Sequence, residues 1–110
     1  MEKQLFVVFS DNKSVFTHLL LNILDLNAKG YDAGIIFESA GCKLIEEFKG
    51  KEKYEALKEK DLIFAVCEVC AKAMGVLESA KEQGLHINGE LHGHPPLEKW
   101  IREDYHIMII

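Results

Sequence analysis

With 110 residues, 48% of them apolar and only two prolines, the chain has the size and composition of one packed domain, which excludes two independent cores and a disordered segment. A formal charge of -5, with no basic cluster interleaved with aromatics, argues against nucleic acid as a partner, because phosphate backbones are gripped by Lys and Arg. No apolar stretch reaches membrane-spanning length or resembles a signal-peptide core, and three cysteines are too few for a disulfide scaffold, so a reducing cytoplasm is the expected location.

Taken in chain order, the apolar runs alternate with helical patterns. Gln4 to Phe9 is continuously apolar after its first residue, as a strand covered on both faces should be. Ser10-Asp11-Asn12 then offers N-cap side chains, and Val15, Phe16, Leu19, Leu20, Ile23 and Leu24 recur at helical spacing until Gly30. Ala33 to Phe37 predicts a second buried strand, followed by a short helix from Cys42 to Phe48 and a charged surface helix over Lys51 to Lys60. Leu62 to Val66 predicts a third strand ending at Cys67. Helical stretches then run through Met74 and from Val76 to Gln83. Leu85 to Leu91 is weaker and holds at most a short fourth strand. Pro95-Pro96 opens a last helix through Trp100 and Arg102, since proline suits a first turn. Tyr105 to Ile110 predicts a fifth strand, apolar enough to be buried. This alternation implies one α/β domain over residues 1–110: a mainly parallel five-stranded sheet with helices on both faces, in three flavodoxin-like layers.

In an open parallel sheet the loops leaving the carboxyl ends of the strands share one edge, where ligands bind. That edge gathers Ser10, Asp11 and Asn12 after the first strand, and Glu38, Ser39 and Cys42 after the second. Cys67, Glu68 and Cys70 follow the third, and His92 and His94 follow the fourth. Within it, Cys67-Glu68-Val69-Cys70 carries the most specific chemistry. A cysteine between a strand and a helix lies beside unpaired N–H groups and the positive end of the helix dipole, and both favour thiolate. A second cysteine three positions on shares its helical face; Glu68 acts in the opposite sense, raising a thiol's pKa. Against this stands the plain alternative that buried cysteines often serve as small hydrophobes, which is the reading favoured for Cys42. The alternative to chemistry on the thiols is a non-catalytic module that binds a metal or a small ligand at this edge. For a metal the weak ligand set is Cys67, Cys70, His92 and His94, whose donor types suit zinc although the spacing matches no standard zinc site. A dithiol redox switch on the Cys67–Cys70 pair is a third reading. No phosphate-binding loop, dinucleotide fingerprint or nucleophile elbow occurs, so no cofactor is expected.

The residues that carry a family likeness are Leu5 to Leu24, Ile35-Ile36-Phe37-Glu38 with Gly41-Cys42, and above all Ala65 to Val76. Over essentially its whole length the chain resembles the DsrE/DsrF-like family of small sulfur-relay proteins, with its TusD and YchN-like groups. Family members place a cysteine at the end of this strand, eight positions before a glycine, as Cys67 stands to Gly75, and YchN-like members carry a second where Cys70 stands. The resemblance implies a homo-oligomer, often a trimer or hexamer, and a sulfurtransferase-type carrier passing persulfide sulfur between donor and acceptor proteins. Cys67 would accept the sulfur and Cys70 would be the auxiliary thiol. One position departs: Met74 occupies the place where many members carry arginine.

Overall fold

Strands form where β-branched and aromatic residues run together, and their alternation decides which core each side chain enters. In the computed structural model, which describes residues 2–110, β1 (Lys3–Val8) sends Phe6 and Val8 to one face of the sheet and Leu5 and Val7 to the other. β2 (Asp32–Phe37) divides in the same way, with Ile35 and Phe37 opposite Ile36. This is why these strands read as unbroken apolar runs.

The sheet is completed by β3 (Ile63–Cys67), β4 (Ile87–Asn88) and β5 (Tyr105–Ile109), all parallel, in the order β4-β3-β2-β1-β5. The fold is therefore a parallel, flavodoxin-like three-layer α/β domain, as expected. From β1 to β4 the chain steps in one direction, so right-handed crossovers place α1 (Lys13–Ala28), α2 (Lys43–Glu47), α3 (Glu52–Glu59), α4 (Glu68–Ala73) and α5 (Leu77–Glu82) on the same face. Their apolar residues, among them Phe16, Ile23, Leu44, Ile45, Tyr54, Leu57 and Ala71, form the large core with Ile35, Phe37 and Val66. The return to β5 reverses direction, and α6 (Glu98–Arg102) lands on the opposite face, where Trp100 covers Leu5, Val7, Ile36 and Ala65.

This uneven cover corrects one expectation. β5 is not buried: its residues are intermediate or exposed, with Ile109 61% exposed. An edge strand has a neighbour on one side only, and α6 is too short to shield it. Two other boundaries shift. A 3₁₀ turn, Ser39–Cys42, precedes α2, so Cys42 closes that turn rather than opening a helix. The fourth strand shrinks to two residues, because Gly89 and the turn after it divert the chain.

Two glycines fix close approaches, Gly41 at the functional edge and Gly34 inside the sheet. A Cβ on Gly41 would lie 2.1 Å from the Val8 carbonyl oxygen, so only glycine lets the 3₁₀ turn sit on the end of β1. A bulge skips Phe64 between the pairs Ile35–Ile63 and Ile36–Ala65, and the Cζ end of the Phe64 ring occupies the place where a Cβ on Gly34 would stand.

Candidate functional site: a buried dithiol with His94 and Glu38

Three segments meet over the carboxyl ends of β2 and β3. Glu38 follows β2, Cys67 ends β3 in extended conformation (φ -63°, ψ 116°), and Cys70 lies one turn into α4. The third segment is a loop after β4. His92 (φ 49°) and Gly93 (φ 94°) are the two central residues of a tight hairpin in which Leu91 and His94 exchange both backbone hydrogen bonds, at 2.8 and 2.9 Å. Positive φ at both central positions matches the twist of a two-residue hairpin, and glycine takes the second without strain. Upstream, the Asn88 side chain accepts the Glu90 N–H at 3.0 Å and the Gly89 carbonyl accepts the Gly93 N–H at 2.9 Å. Pro95 favours extended backbone at His94. The loop is thus rigidly framed.

Its tip docks on α4. The Val69 N–H donates to the Gly93 carbonyl at 3.0 Å, and the Cys67 thiol lies 3.7 Å from the same oxygen. A protein carbonyl therefore occupies the helix start that was expected to stabilise a thiolate. His94 follows directly, with Nδ1 3.2 Å from Cys67 Sγ and 3.7 Å from a Glu38 carboxylate oxygen. One donor atom from each of Glu38, Cys67, Cys70 and His94 lies within 4.8 Å of every other. Cys67 and Glu38 are buried, Cys70 is half-buried, and the His94 side chain is 47% exposed.

The electrostatics invert the expectation for Cys67. The residue is 0% exposed, and loss of hydration, reinforced by the Cys70 thiol and the Glu38 carboxylate, pushes its pKa up to about 12. Burial likewise raises Cys42, which has 0% exposure and both other thiols nearby. Glu38 is raised by burial, partly opposed by hydrogen bonding to Cys67 and by His94.

The remaining expected site residues serve elsewhere. Asn12 caps α1, its side-chain oxygen accepting the Val15 N–H at 2.9 Å, and Ser10 accepts the Asn12 N–H at 3.1 Å. Asp11 faces Lys43 at 3.7 Å. Ser39 is exposed with φ 50°. Cys42 is packed in the large core. The Glu68 side chain lies against Gly89, whose missing Cβ leaves it room. His92 sits at the hairpin tip and does not join the cluster, so the weak metal set Cys67, Cys70, His92, His94 is corrected: Glu38 takes the place of His92. Sequence reasoning put Glu38 on the right edge without giving it a role. Its signal was a lone carboxylate directly after a buried strand. Met74, at the position where arginine is common among the proteins resembled, packs against the large core.

A separate concavity lies on the other face. A 380 Å³ groove between Phe64, Ile87, Trp100 and Tyr105 has Asp61 and His86 at its rim, 2.7 Å apart. It contains none of the clustered donors.

Comparison with known proteins supports the fold and nothing finer. No family model and no curated protein matches the chain. A solved structure of a conserved protein of unknown function, BT1422 from Bacteroides thetaiotaomicron, is similar to it with a TM-score of 0.71 and 22% identity, over 98% of this chain and 95% of that one. At that identity the likeness concerns architecture: the α/β fold recurs in a second protein over nearly the full length of both chains.

Proposed function

We propose that the chain is a sulfur carrier of the DsrE-like kind, working through the Cys67–Cys70 pair. The observation that carries this reading is the pairing of one buried and one reachable sulfur in a single cluster at the functional edge. The resemblance assigns acceptance of sulfur to Cys67. Exposure favours a different division of labour, in which Cys70 meets the donor protein and Cys67 stands behind it.

In the transfer step the Cys70 thiolate attacks the terminal sulfur of a persulfide on the donor. The donor's S–S bond breaks as a new one forms on Cys70, and the donor cysteine leaves as a thiolate, with no net gain or loss of electrons. An acceptor thiolate repeats the exchange on the terminal sulfur held by Cys70. Should Cys67 instead attack the inner sulfur, hydrosulfide leaves and a Cys67–Cys70 disulfide remains, which an external dithiol must reduce. His94, 3.2 Å from Cys67, is placed to take the thiol proton. Val69 (42% exposed) and Leu91 (52%) give this edge an apolar border of the kind a protein partner covers.

Incubation with a cysteine desulfurase and free cysteine, followed by intact mass measurement, tests the reading. A gain of one sulfur that is removed by dithiol reductant and abolished in Cys70→Ser is the expected result. No added sulfur under conditions that load a known acceptor would overturn it. A homo-oligomer, trimer or hexamer, belongs to the same proposal and is checked by light scattering.

A further inference from the structure

We infer that Glu38, Cys67, Cys70 and His94 form a four-donor site for a thiophilic divalent cation, zinc by its donor set. This goes beyond sulfur carriage and does not rest on it. A cation held by both sulfurs leaves neither free, so the two occupancies exclude one another.

The geometry favours convergence on a point over a relay. In a nucleophile–histidine–carboxylate relay the histidine uses its two nitrogens separately, one toward the nucleophile and one toward the acid. Here Cys67 and Glu38 approach the same nitrogen, Nδ1 of His94, at 3.2 and 3.7 Å. Two thiols, one imidazole nitrogen and one carboxylate oxygen thus face a common centre, each within 4.8 Å of the rest. With zinc–sulfur bonds near 2.3 Å and zinc–nitrogen or –oxygen bonds near 2.0 Å, tetrahedral ligands stand about 3.3 to 3.8 Å apart. The Cys67–His94 and Glu38–His94 separations lie within about 0.5 Å of that spacing, and no pair needs to close by more than about 1.5 Å.

The donor chemistry is equally specific. Two thiolates with an imidazole select zinc-like ions over magnesium or calcium, which take oxygen ligands. Cys-x-x-Cys at a helix start supplies the usual two-sulfur bite, Cys67 from the strand end and Cys70 from the first turn. The other two donors come from separate loops, each anchored independently: Glu38 through its N–H to the Val8 carbonyl at 3.0 Å, and His94 through the hairpin and the Gly93–Val69 bond. A fully buried Cys67 suits a closed, four-coordinate site, while the half-exposed His94 side chain leaves a way in.

Cobalt(II) titration of the full chain under reducing conditions tests the inference, because cobalt reports its ligands by colour. The expected result is one cobalt per chain, with thiolate-to-cobalt charge-transfer absorption in the near ultraviolet and the intense visible bands of a tetrahedral ion, both bleached by zinc. Cys70→Ser, an isosteric change at a half-buried position, should remove about half the charge-transfer intensity. His94→Ala and Glu38→Gln should each weaken binding more than about tenfold, whereas His92→Ala should change nothing. Absence of charge-transfer absorption, or equal affinity in Cys70→Ser, would overturn the site. The titration needs no sulfur donor, so its failure and a failure of sulfur loading are distinguishable.

Discussion

Replacing Gly93 with alanine tests whether the hairpin positions the site. The substitution has two separable effects. An L-residue at φ 94° leaves the region that side chains favour, which costs roughly 1–2 kcal/mol. Its methyl group would also stand 3.0 Å from Val69 Cβ, on the helix that carries Cys70, and crowding of that kind adds about 1 kcal/mol or more. Gly50→Ala is the matched control: φ is 85°, yet nothing lies within 4 Å of the added carbon. Unfolding a chain of this length changes entropy by about 0.23 kcal/mol per degree, so the total of ~2–3 kcal/mol at Gly93 predicts a fall in Tm of about 9–13 °C, against about 4–9 °C at Gly50. Circular dichroism melts of both variants measure the difference. Because the Gly93 carbonyl holds the Val69 N–H and lies against the Cys67 thiol, Gly93→Ala should also speed alkylation of Cys67 in the folded protein, and Gly50→Ala should not. Equal Tm values for the two variants, with equal alkylation rates, would refute the account of the loop as the clamp on the site.

The raised thiol and phenol groups set a pH dependence. Cys67 (pushed up to about 12 by burial), Cys42 and Tyr54 hold their protons in the folded chain beyond the pH at which unfolded groups release them. Stability is therefore full below pH 9 and falls as pH rises from 9 toward 12, by up to about 1.4 kcal/mol per unit for each group; urea melts between pH 8 and 11 under reducing conditions read it, and a flat profile contradicts it. Glu38, also raised, resists ionising in the fold, so Glu38→Gln should increase Tm at pH 7, with the gain vanishing as the pH is lowered past the carboxyl range. A decrease at pH 7 would mean that its bonds to Cys67 and His94 outweigh its burial. Pulse alkylation with peptide mapping should modify Cys70 first, with Cys42 and Cys67 more than about 100-fold slower, since both need an opening of the fold to meet reagent.

The elements that the sequence made legible are those whose apolar pattern decides them. β1, β2 and β3 announce themselves because both of their faces are covered, and α1 because Phe16, Leu19, Leu20 and Ile23 fall on one stripe. The same reasoning failed at β5, where an apolar composition does not show that the strand is an edge. It also failed for the acidity of Cys67. A strand-to-helix junction was legible, but the Gly93 carbonyl that fills the helix start comes from 24 residues further along the chain, and no local rule places it there. Of the candidate residues, Cys67, Cys70 and His94 do meet, and Glu38 joins them because β2 and β3 are neighbours. His92 and His94 looked equivalent in sequence. The turn separates them: in a two-residue hairpin His92 is at the tip and His94 at the base, and it is the base residue that lies against Cys67 and Glu38.

The burial of Cys67 bears differently on the two chemistries proposed for this site. Sulfur exchange needs a thiolate that reaches another protein's sulfur, and a group with 0% exposure held neutral up to about pH 12 meets neither condition without help. That is why the proposed sulfur carriage gives the transfer step to the reachable Cys70 and leaves Cys67 to act on sulfur already held there. A cation reverses the balance. It replaces the proton that burial protects and gains from the same exclusion of water that suppresses the free thiolate. The three acidic ligands around one divalent ion still leave an excess negative charge in a buried place, which predicts that Cys67→Ser, removing a charge from the fully buried position, weakens the ion's grip less than Cys70→Ser, which removes one from the half-buried position. Cobalt affinities for the two variants in parallel decide this, and the reverse order would mean that the sulfur behind, not the sulfur in front, anchors the ion.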